Sequence, residues 1–99
     1  MSYGYIGSMK VKPGKRDEVI AILLGGVEGL RSVGCLRYTV AASAADAVTI
    51  WTSEVWGSKE QHDASLQLPE TREAISRAMP LIVGDFTRVE TDVRGGLGL

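Results

Sequence analysis

The 99-residue sequence contains a single cysteine, Cys35, a single histidine, His62, and no asparagine. One cysteine permits no internal disulfide bond and none of the two-cysteine metal or redox motifs, so a reducing compartment, the cytoplasm, is the expected location. One histidine would leave a zinc ion to be held by carboxylates or by a second chain. We therefore expect no metal site.

Neither sign of charge is in large excess, since 11 basic and 12 acidic residues give a formal net charge of -1. The basic residues are scattered along the chain, unlike the clustered charge of a nucleic-acid-binding protein. The longest apolar run, residues 19–24, is too short to span a bilayer. The N-terminal residues also lack the basic-then-apolar order of a signal peptide. We expect neither a nucleic acid nor a membrane as a partner.

The most informative segment, residues 47–66, begins with a predicted strand. Its β-branched and aromatic residues continue without proline or glycine as far as Trp56. A period of two places Glu54 and Trp56 on one face of this strand and Trp51 on the other. Both faces carry bulky side chains, which is typical of a strand that is covered on both sides.

The same segment then predicts a capped helix. Ser58 is a typical N-cap residue, and Gln61 three positions later completes a capping box. His62 falls in the first turns of this helix, near the positive end of its dipole, where neutral imidazole is favoured over imidazolium. A neutral imidazole can accept a proton near neutral pH.

The rest of the chain predicts further strands and helices. Gly25 and Gly26 lie in the middle of one predicted helix, where each costs about 1 kcal/mol relative to alanine and favours a kink. Pro80 is expected to end or kink the last helix. Residues 94–99 are glycine-rich and are expected to form a mobile tail after a single domain of residues 1–93, unless they cross onto a second subunit. The additional predicted strands are residues 2–12, 35–42 and 83–93, and the additional predicted helices are residues 15–31 and 70–79.

The resulting order is β-α-β-β-α-β, the pattern of the ferredoxin-like α+β fold, in which helices cover one face of an antiparallel sheet. The other face of the sheet is left without helices, although the predicted strands carry large side chains on both faces. We therefore expect a homodimer in which two such faces meet.

Several short motifs resemble the antibiotic biosynthesis monooxygenase family, and the resemblance extends over roughly residues 5–93. It implies a dimeric α/β barrel with a pocket between sheet and helices in each subunit. It also implies a monooxygenase that oxidises phenolic or quinol-type aromatic compounds with molecular oxygen, without metal or flavin. The motifs are Gly34-Cys35-Leu36-Arg37-Tyr38, the strand end Trp51-Thr52-Ser53-Glu54-Val55-Trp56, the downstream His62, Pro80-Leu81-Ile82 and Pro13-Gly14-Lys15.

The sequence also departs from the pattern of that family. The best-understood oxygenases of the family and its haem-degrading branch use an asparagine in the pocket, and this chain has none. The first strand offers Tyr5, Gly7 and Met9 where the haem-degrading branch would place it. Haem degradation is therefore not expected.

Oxygenation without a cofactor requires a base that forms the phenolate or quinolate, and an apolar aromatic pocket that holds the ring. We assign His62 as the candidate base and Arg72 as a candidate anchor for an anionic substituent. No cofactor is expected. The candidate pocket walls are Trp51 or Trp56, Tyr5, Tyr38 and Phe86.

Each assignment has a structural alternative. The two tryptophans point to opposite faces, so at most one lines a given pocket and the other belongs to the core or to a dimer interface. Tyr5 and Tyr38 are equally consistent with packing residues. Glu54 is consistent with an ion pair to Arg37 on the neighbouring strand, and His62 and Arg72 with solvated side chains.

Two alternative functions remain open at the level of sequence. One is a dimeric small-molecule-binding or stress-associated protein of the same fold without turnover, which would share the aromatic pocket but would not need a base. The other is a haem-binding enzyme, which would show a Soret band on haem titration that is lost when His62 is replaced.

Overall fold

The computed structural model describes residues 2–99, which form one four-stranded antiparallel sheet in the order β2-β3-β1-β4. Helices pack on one face of this sheet. The element order and the antiparallel pairing are those of the ferredoxin-like fold, so the α+β fold predicted from the sequence is confirmed. The strands are β1 (Ser2–Val11), β2 (Cys35–Ala42), β3 (Thr49–Trp56) and β4 (Ile82–Val93).

The helices break at or next to the glycines and the proline that were expected to interrupt them. The helix predicted over residues 15–31 is interrupted at Gly25 and Gly26, where the conformational freedom of glycine disfavours continuation. Pro69 is the first residue of the last helix, a position where a missing backbone N–H is tolerated. Pro80 lies in a 3-10 turn that follows that helix. The α-helices within residues 2–99 are α1 (Arg16–Leu24), α2 (Val27–Leu30), α3 (Lys59–Ser65) and α4 (Pro69–Ala78).

The core lies between the sheet and helices α1 and α4. Its fully buried members are Val11, Val19, Ile50 and Ala78, at most 3% exposed, and each comes from a different element. Partly buried side chains from α1, β1, β2, β4 and the 3-10 turn after α4 pack around them. This packing fixes one end of the sheet and leaves the other end to α3.

Side chains on the helix side of the sheet line up in rows across the strands. Tyr5 on β1 is paired with Glu54 on β3, and Glu54 is paired with Tyr38 on β2. In the next row, Tyr3 is paired with Trp56. Because directly opposed residues of antiparallel strands point to the same face, these side chains share the space beneath α3.

A bulge in β2 changes the predicted alternation of that strand. Cys35 is paired with Trp56 and Arg37 with Val55, so Leu36 is bypassed in the ladder. Cys35 therefore lies with Trp56 on the helix side and is buried. Simple alternation would place Cys35 and Arg37 on the same face, but the inserted residue shifts the pattern by one.

The opposite face of the sheet carries exposed apolar side chains. Ile6, Trp51 and Val89 are 39%, 44% and 54% exposed, respectively. Ile6 on β1 is directly paired with Val89 on β4. Trp51 lies two residues along β3 from Ser53, which is the residue paired with Ile6. Within residues 2–99, no helix is long and apolar enough to cross a membrane.

Candidate functional site

The turn after β3 brings α3 back over the end of the sheet. The Ser58 hydroxyl accepts a hydrogen bond from the Gln61 backbone N–H at 3.2 Å, which confirms the predicted N-cap. Gly34 and Gly57 lie against the end of the Gln61 side chain, which would have to move if either glycine carried a Cβ atom. The turn thereby fixes the start of α3, and the His62 side chain points inward with 8% of its area exposed. The alternative of a solvated His62 is wrong.

The position of His62 in α3 gives little support to the expected dipole effect. Helix α3 has only seven residues, Lys59–Ser65, and His62 is the fourth of them. The influence of a helix dipole is confined to the first and last turns, and His62 is equally far from both ends.

Three aromatic rings enclose the imidazole. The Tyr5 ring stacks on it, with centroids 4.8 Å apart and planes tilted by 25°. The Tyr3 ring lies at 5.2 Å, and the Trp56 indole meets the imidazole edge-on at 5.7 Å. Of the predicted pocket walls, the structure therefore brings Tyr5 and Trp56 directly to His62.

Two carboxylates flank the imidazole on opposite sides. Nδ1 of His62 lies 3.0 Å from Oδ1 of Asp63, which is a hydrogen-bond distance. Nε2 lies 4.0 Å from Oε1 of Glu54, which is too long for a direct hydrogen bond. Glu54 Oε1 instead accepts a hydrogen bond from the Trp56 indole N–H at 2.9 Å.

Glu54 is largely buried, and burial raises the pKa of its carboxyl group. The hydrogen bond from Trp56 and the charge of His62 act in the opposite direction but are smaller. The expected ion pair between Glu54 and Arg37 is wrong, because Arg37 is paired with Val55 on the other face of the sheet. Glu54 is thus a buried acid beside a buried base, an arrangement more typical of functional sites than of surface ion pairs.

The raised pKa of Glu54 predicts that Glu54→Gln stabilises the protein at neutral pH. A group whose pKa is raised on folding contributes stability below its unfolded-state pKa and loses that contribution as the pH rises through the folded-state value. Glutamine keeps the acceptor oxygen for Trp56 and removes the buried charge. Urea unfolding of both proteins should show a higher free energy of unfolding for the variant at pH 7.5 and a smaller difference at pH 4. A variant that is less stable at pH 7.5 would contradict this assignment.

A surface network ties α3 to β1 and β4. The Tyr3 hydroxyl donates a hydrogen bond to Glu90 Oε2 at 2.7 Å. Lys59 Nζ lies 3.2 Å from Glu90 and 3.4 Å from Asp63. Burial, together with the hydrogen bond to Glu90, raises the pKa of Tyr3, so this ring stands beside His62 as a neutral phenol. The network holds both Tyr3 and Asp63 in place against the imidazole.

Tyr38 connects this cluster to a cavity between α2 and β2. The cavity has a volume of about 130 Å³, and Tyr38 and Cys35 are among its walls. These two residues are the cross-strand neighbours of Glu54 and Trp56. Burial and the proximity of Glu54 raise the pKa of Tyr38. The cavity therefore borders the His62 cluster through Tyr38.

A larger cavity of about 430 Å³ lies elsewhere, where the C-terminal residues fold back over the end of the sheet. Arg37 Nη1 donates a hydrogen bond to the Leu97 carbonyl at 3.1 Å and so attaches the tail near this place. His62 lines neither cavity. We take the His62 cluster as the candidate site because it combines buried ionisable groups with aromatic walls, whereas no aromatic side chain among residues 2–99 lines the larger cavity. The larger cavity is lined by Ser2, Leu36, Val93, Arg94, Gly95, Gly98 and Leu99.

Three predicted site residues lie away from His62. Trp51 is on the opposite face of the sheet, as the alternation of β3 predicted. Phe86 lies four residues along β4 from Glu90, a separation of about 13 Å in an extended strand. Arg72 is exposed on α4. None of the three is a wall or anchor of this cluster.

Sequence reasoning missed Tyr3, Asp63 and Glu90 as members of the cluster. Tyr3 shares a strand face with Tyr5, and Asp63 directly follows His62, so both carried a usable signal in the sequence. Glu90 carried none, because only the register between β1 and β4 places it opposite Tyr5.

Comparison with known proteins places the chain in a family. Residues 2–77 match the family model described as antibiotic biosynthesis monooxygenase. The sequence matches none of the curated proteins with which it was compared. The chain is 45% identical to a proposed antibiotic biosynthesis monooxygenase from Chloroflexus aurantiacus J-10-fl, with a TM-score of 0.89 over 97% of this chain and 96% of that one.

More distant solved structures share the fold. One is a proposed antibiotic biosynthesis monooxygenase from Nitrosomonas europaea, 18% identical, with a TM-score of 0.83 over 97% of this chain and 90% of that one. Another is a mutant form of SnoaB from Streptomyces nogalater, described as a cofactor-independent oxygenase. It is 13% identical, with a TM-score of 0.79 over 97% of this chain and 96% of that one. At these identities the likeness establishes the architecture and nothing more.

Proposed function

The chain belongs to the antibiotic biosynthesis monooxygenase family, and we propose that it oxidises a small phenolic or quinol-type aromatic compound with molecular oxygen, without metal or flavin. The observation that supports this most is the buried imidazole of His62, with Nε2 facing the buried Glu54 inside an enclosure of aromatic rings. We assign His62 as the base that removes the phenolic proton.

The geometry between His62 and Glu54 suits one hydroxyl group. The 4.0 Å between Nε2 and Oε1 is too long for a hydrogen bond, but a hydroxyl oxygen could lie about 2.8 Å from both atoms. A phenol held in this way would donate its single proton to Nε2. Because a carboxylate can only accept, Glu54 would orient the phenol oxygen only in its protonated form, by donating a hydrogen bond to it. The resulting phenolate is electron-rich enough to pass an electron to oxygen, and the apolar rings around it exclude water.

The substrate class follows from electron balance. When a hydroquinone becomes a hydroxyquinone, one oxygen atom of O2 replaces a ring hydrogen as a hydroxyl group, and the other leaves as water. The two electrons and two protons that form this water come from the two phenolic hydroxyl groups. A dihydroxyaromatic compound therefore supplies all the reducing equivalents of the reaction.

The cavity beside Tyr38 supports a substrate with a single ring. The cavity is a cleft open to solvent, and its volume of about 130 Å³ is close to the roughly 150 Å³ of an enclosed cavity that holds benzene. We propose that the ring enters between α2 and β2 with Tyr38 as a wall. Multi-ring compounds would require α2 to move.

Oxygen uptake by the metal-stripped protein tests the proposal. We expect uptake with hydroquinones, less with hydroxynaphthalenes, and none with hydroquinone dimethyl ether, which has no phenolic proton to remove. Uptake with none of the compounds, combined with measurable binding of them, would favour the alternative of a small-molecule-binding protein without turnover.

We also propose that the uncovered sheet face pairs with the same face of a second copy, giving a homodimer. The support is the apolar surface of Ile6, Trp51 and Val89, since exposed apolar patches of this kind mark interaction sites. Trp51→Glu is expected to convert the dimer into a folded monomer, because it places a charge in the proposed interface. Analytical ultracentrifugation of both proteins checks this, and a wild-type monomer at high micromolar concentration would contradict the homodimer.

A further inference from the structure

We propose that Asp63 is a positioning residue that holds His62 in the tautomer with the proton on Nδ1, so that Nε2 is the basic atom facing Glu54. The catalytic consequence rests on the proposed function, because a base is needed only if a phenolic proton is removed. The tautomer itself is a property of the protein without substrate.

The hydrogen bond between the two side chains defines the donor. Nδ1 and Asp63 Oδ1 are 3.0 Å apart. The hydrogen bond with His62, together with Lys59, lowers the pKa of Asp63, so this carboxylate is ionised near neutral pH and acts only as an acceptor. Nδ1 must then carry the hydrogen. A neutral imidazole has a single N–H group, so Nε2 holds a free lone pair.

The other groups that face the imidazole do not compete for this role. The Tyr3 hydroxyl is hydrogen-bonded to Glu90, and the Trp56 indole N–H is hydrogen-bonded to Glu54. The Tyr5 ring stacks on the imidazole face. Glu54 lies beyond hydrogen-bond distance of Nε2. In the part of the chain that the structure describes, Asp63 is the group hydrogen-bonded to the imidazole.

Lys59 forms ion pairs with Asp63 and Glu90 on the exposed side of the cluster. Its Nζ atom lies 3.4 Å from Oδ2, the oxygen that does not face His62, and 3.2 Å from Glu90. These ion pairs are exposed and contribute little stability. Oδ1 of Asp63, which Lys59 does not contact, is the atom that fixes the proton on Nδ1.

His62 is the only histidine, so its NMR signals can be identified without resonance assignment and the tautomer can be measured directly. Long-range proton–nitrogen NMR spectra of the protein labelled with ¹⁵N-histidine, recorded at a pH where the imidazole is neutral, distinguish the protonated nitrogen from the bare one. We expect a protonated Nδ1 and a bare Nε2 in the wild type. Asp63→Ala should shift the population toward the Nε2–H tautomer, because it removes the acceptor.

Lys59→Met is the matched control for Asp63→Ala. Both variants lose the ion pair between residues 59 and 63, but only Asp63→Ala loses the acceptor at Oδ1. Lys59→Met is expected to keep the Nδ1–H tautomer. Wild-type protein with the proton on Nε2, an unchanged tautomer in Asp63→Ala, or an equal shift in both variants would overturn the proposal.

The kinetic readout separates this proposal from the proposed function. If a hydroquinone is oxidised, Asp63→Ala should lower kcat by about 10- to 100-fold with little change in KM, as expected when a group that orients a functional histidine is lost. An unchanged kcat together with a changed tautomer would show that the tautomer does not matter for turnover. The absence of turnover in the wild type would count against the proposed function and leave the tautomer result standing.

Discussion

Replacement of His62 by glutamine is expected to lower the rate of oxygen consumption with a hydroquinone by about 100- to 10,000-fold, the usual contribution of a general base. Glutamine has a volume and polarity close to those of histidine but cannot accept the phenolic proton near neutral pH. The enclosure by Tyr3, Tyr5 and Trp56 would remain filled. The measurement is oxygen uptake at saturating substrate, compared with the wild type.

Binding provides the control for His62→Gln. The affinity for hydroquinone dimethyl ether is expected to change little, because that compound has no proton for His62 to accept and is held by the aromatic walls. Fluorescence titration of the tryptophans measures this affinity in both proteins. Retention of full oxygen uptake by the variant would exclude His62 as the base, and a parallel loss of binding and uptake would indicate a structural role.

Trp56→Ala is expected to lower the free energy of unfolding by about 3–5 kcal/mol, as found for large buried aromatic side chains. Trp56 is 1% exposed and is one of the largest fully buried side chains. Its removal leaves a cavity beside His62 and also leaves Glu54 Oε1 without its hydrogen-bond donor. Since small domains are stable by only about 5–15 kcal/mol, this loss is a large part of the total. Urea unfolding monitored by circular dichroism gives the difference.

Trp51→Ala is the matched control, since the same side chain is removed from the other face of the same strand. Trp51 is 44% exposed, so a small loss is expected at protein concentrations low enough to keep the chain monomeric. The loss should grow with protein concentration if Trp51 lies in the proposed dimer interface. Equal losses for the two tryptophans at low concentration would contradict the packing described for Trp56.

The fold was predictable from the sequence because its signals are local. Alternation in β3, the cap at Ser58 and the order of elements each depend on residues close together in the chain. Simple alternation fails at the bulge after Cys35, whereas the break between α1 and α2 falls at the glycines that favour a kink. Strict alternation does not reveal a bulge.

The candidate site was less predictable because it depends on strand register. The proximity of His62 to Trp56 follows from a short turn and could be expected from the sequence. The row that joins Tyr38, Glu54 and Tyr5 requires the pairing of three strands. Phe86 was predicted to be a pocket wall because it is aromatic. The strand register places it far along β4 from Glu90, which belongs to the cluster. Aromatic content alone therefore does not define a pocket.

The central claim is that one atom of molecular oxygen enters the substrate. The most direct test is mass spectrometry of the product formed by the metal-stripped wild-type protein from a hydroquinone under ¹⁸O2, with the product reduced at once to prevent exchange with water. The proposed function predicts a hydroxylated product that carries one ¹⁸O atom. A product that carries no label or two labelled atoms would contradict a monooxygenase.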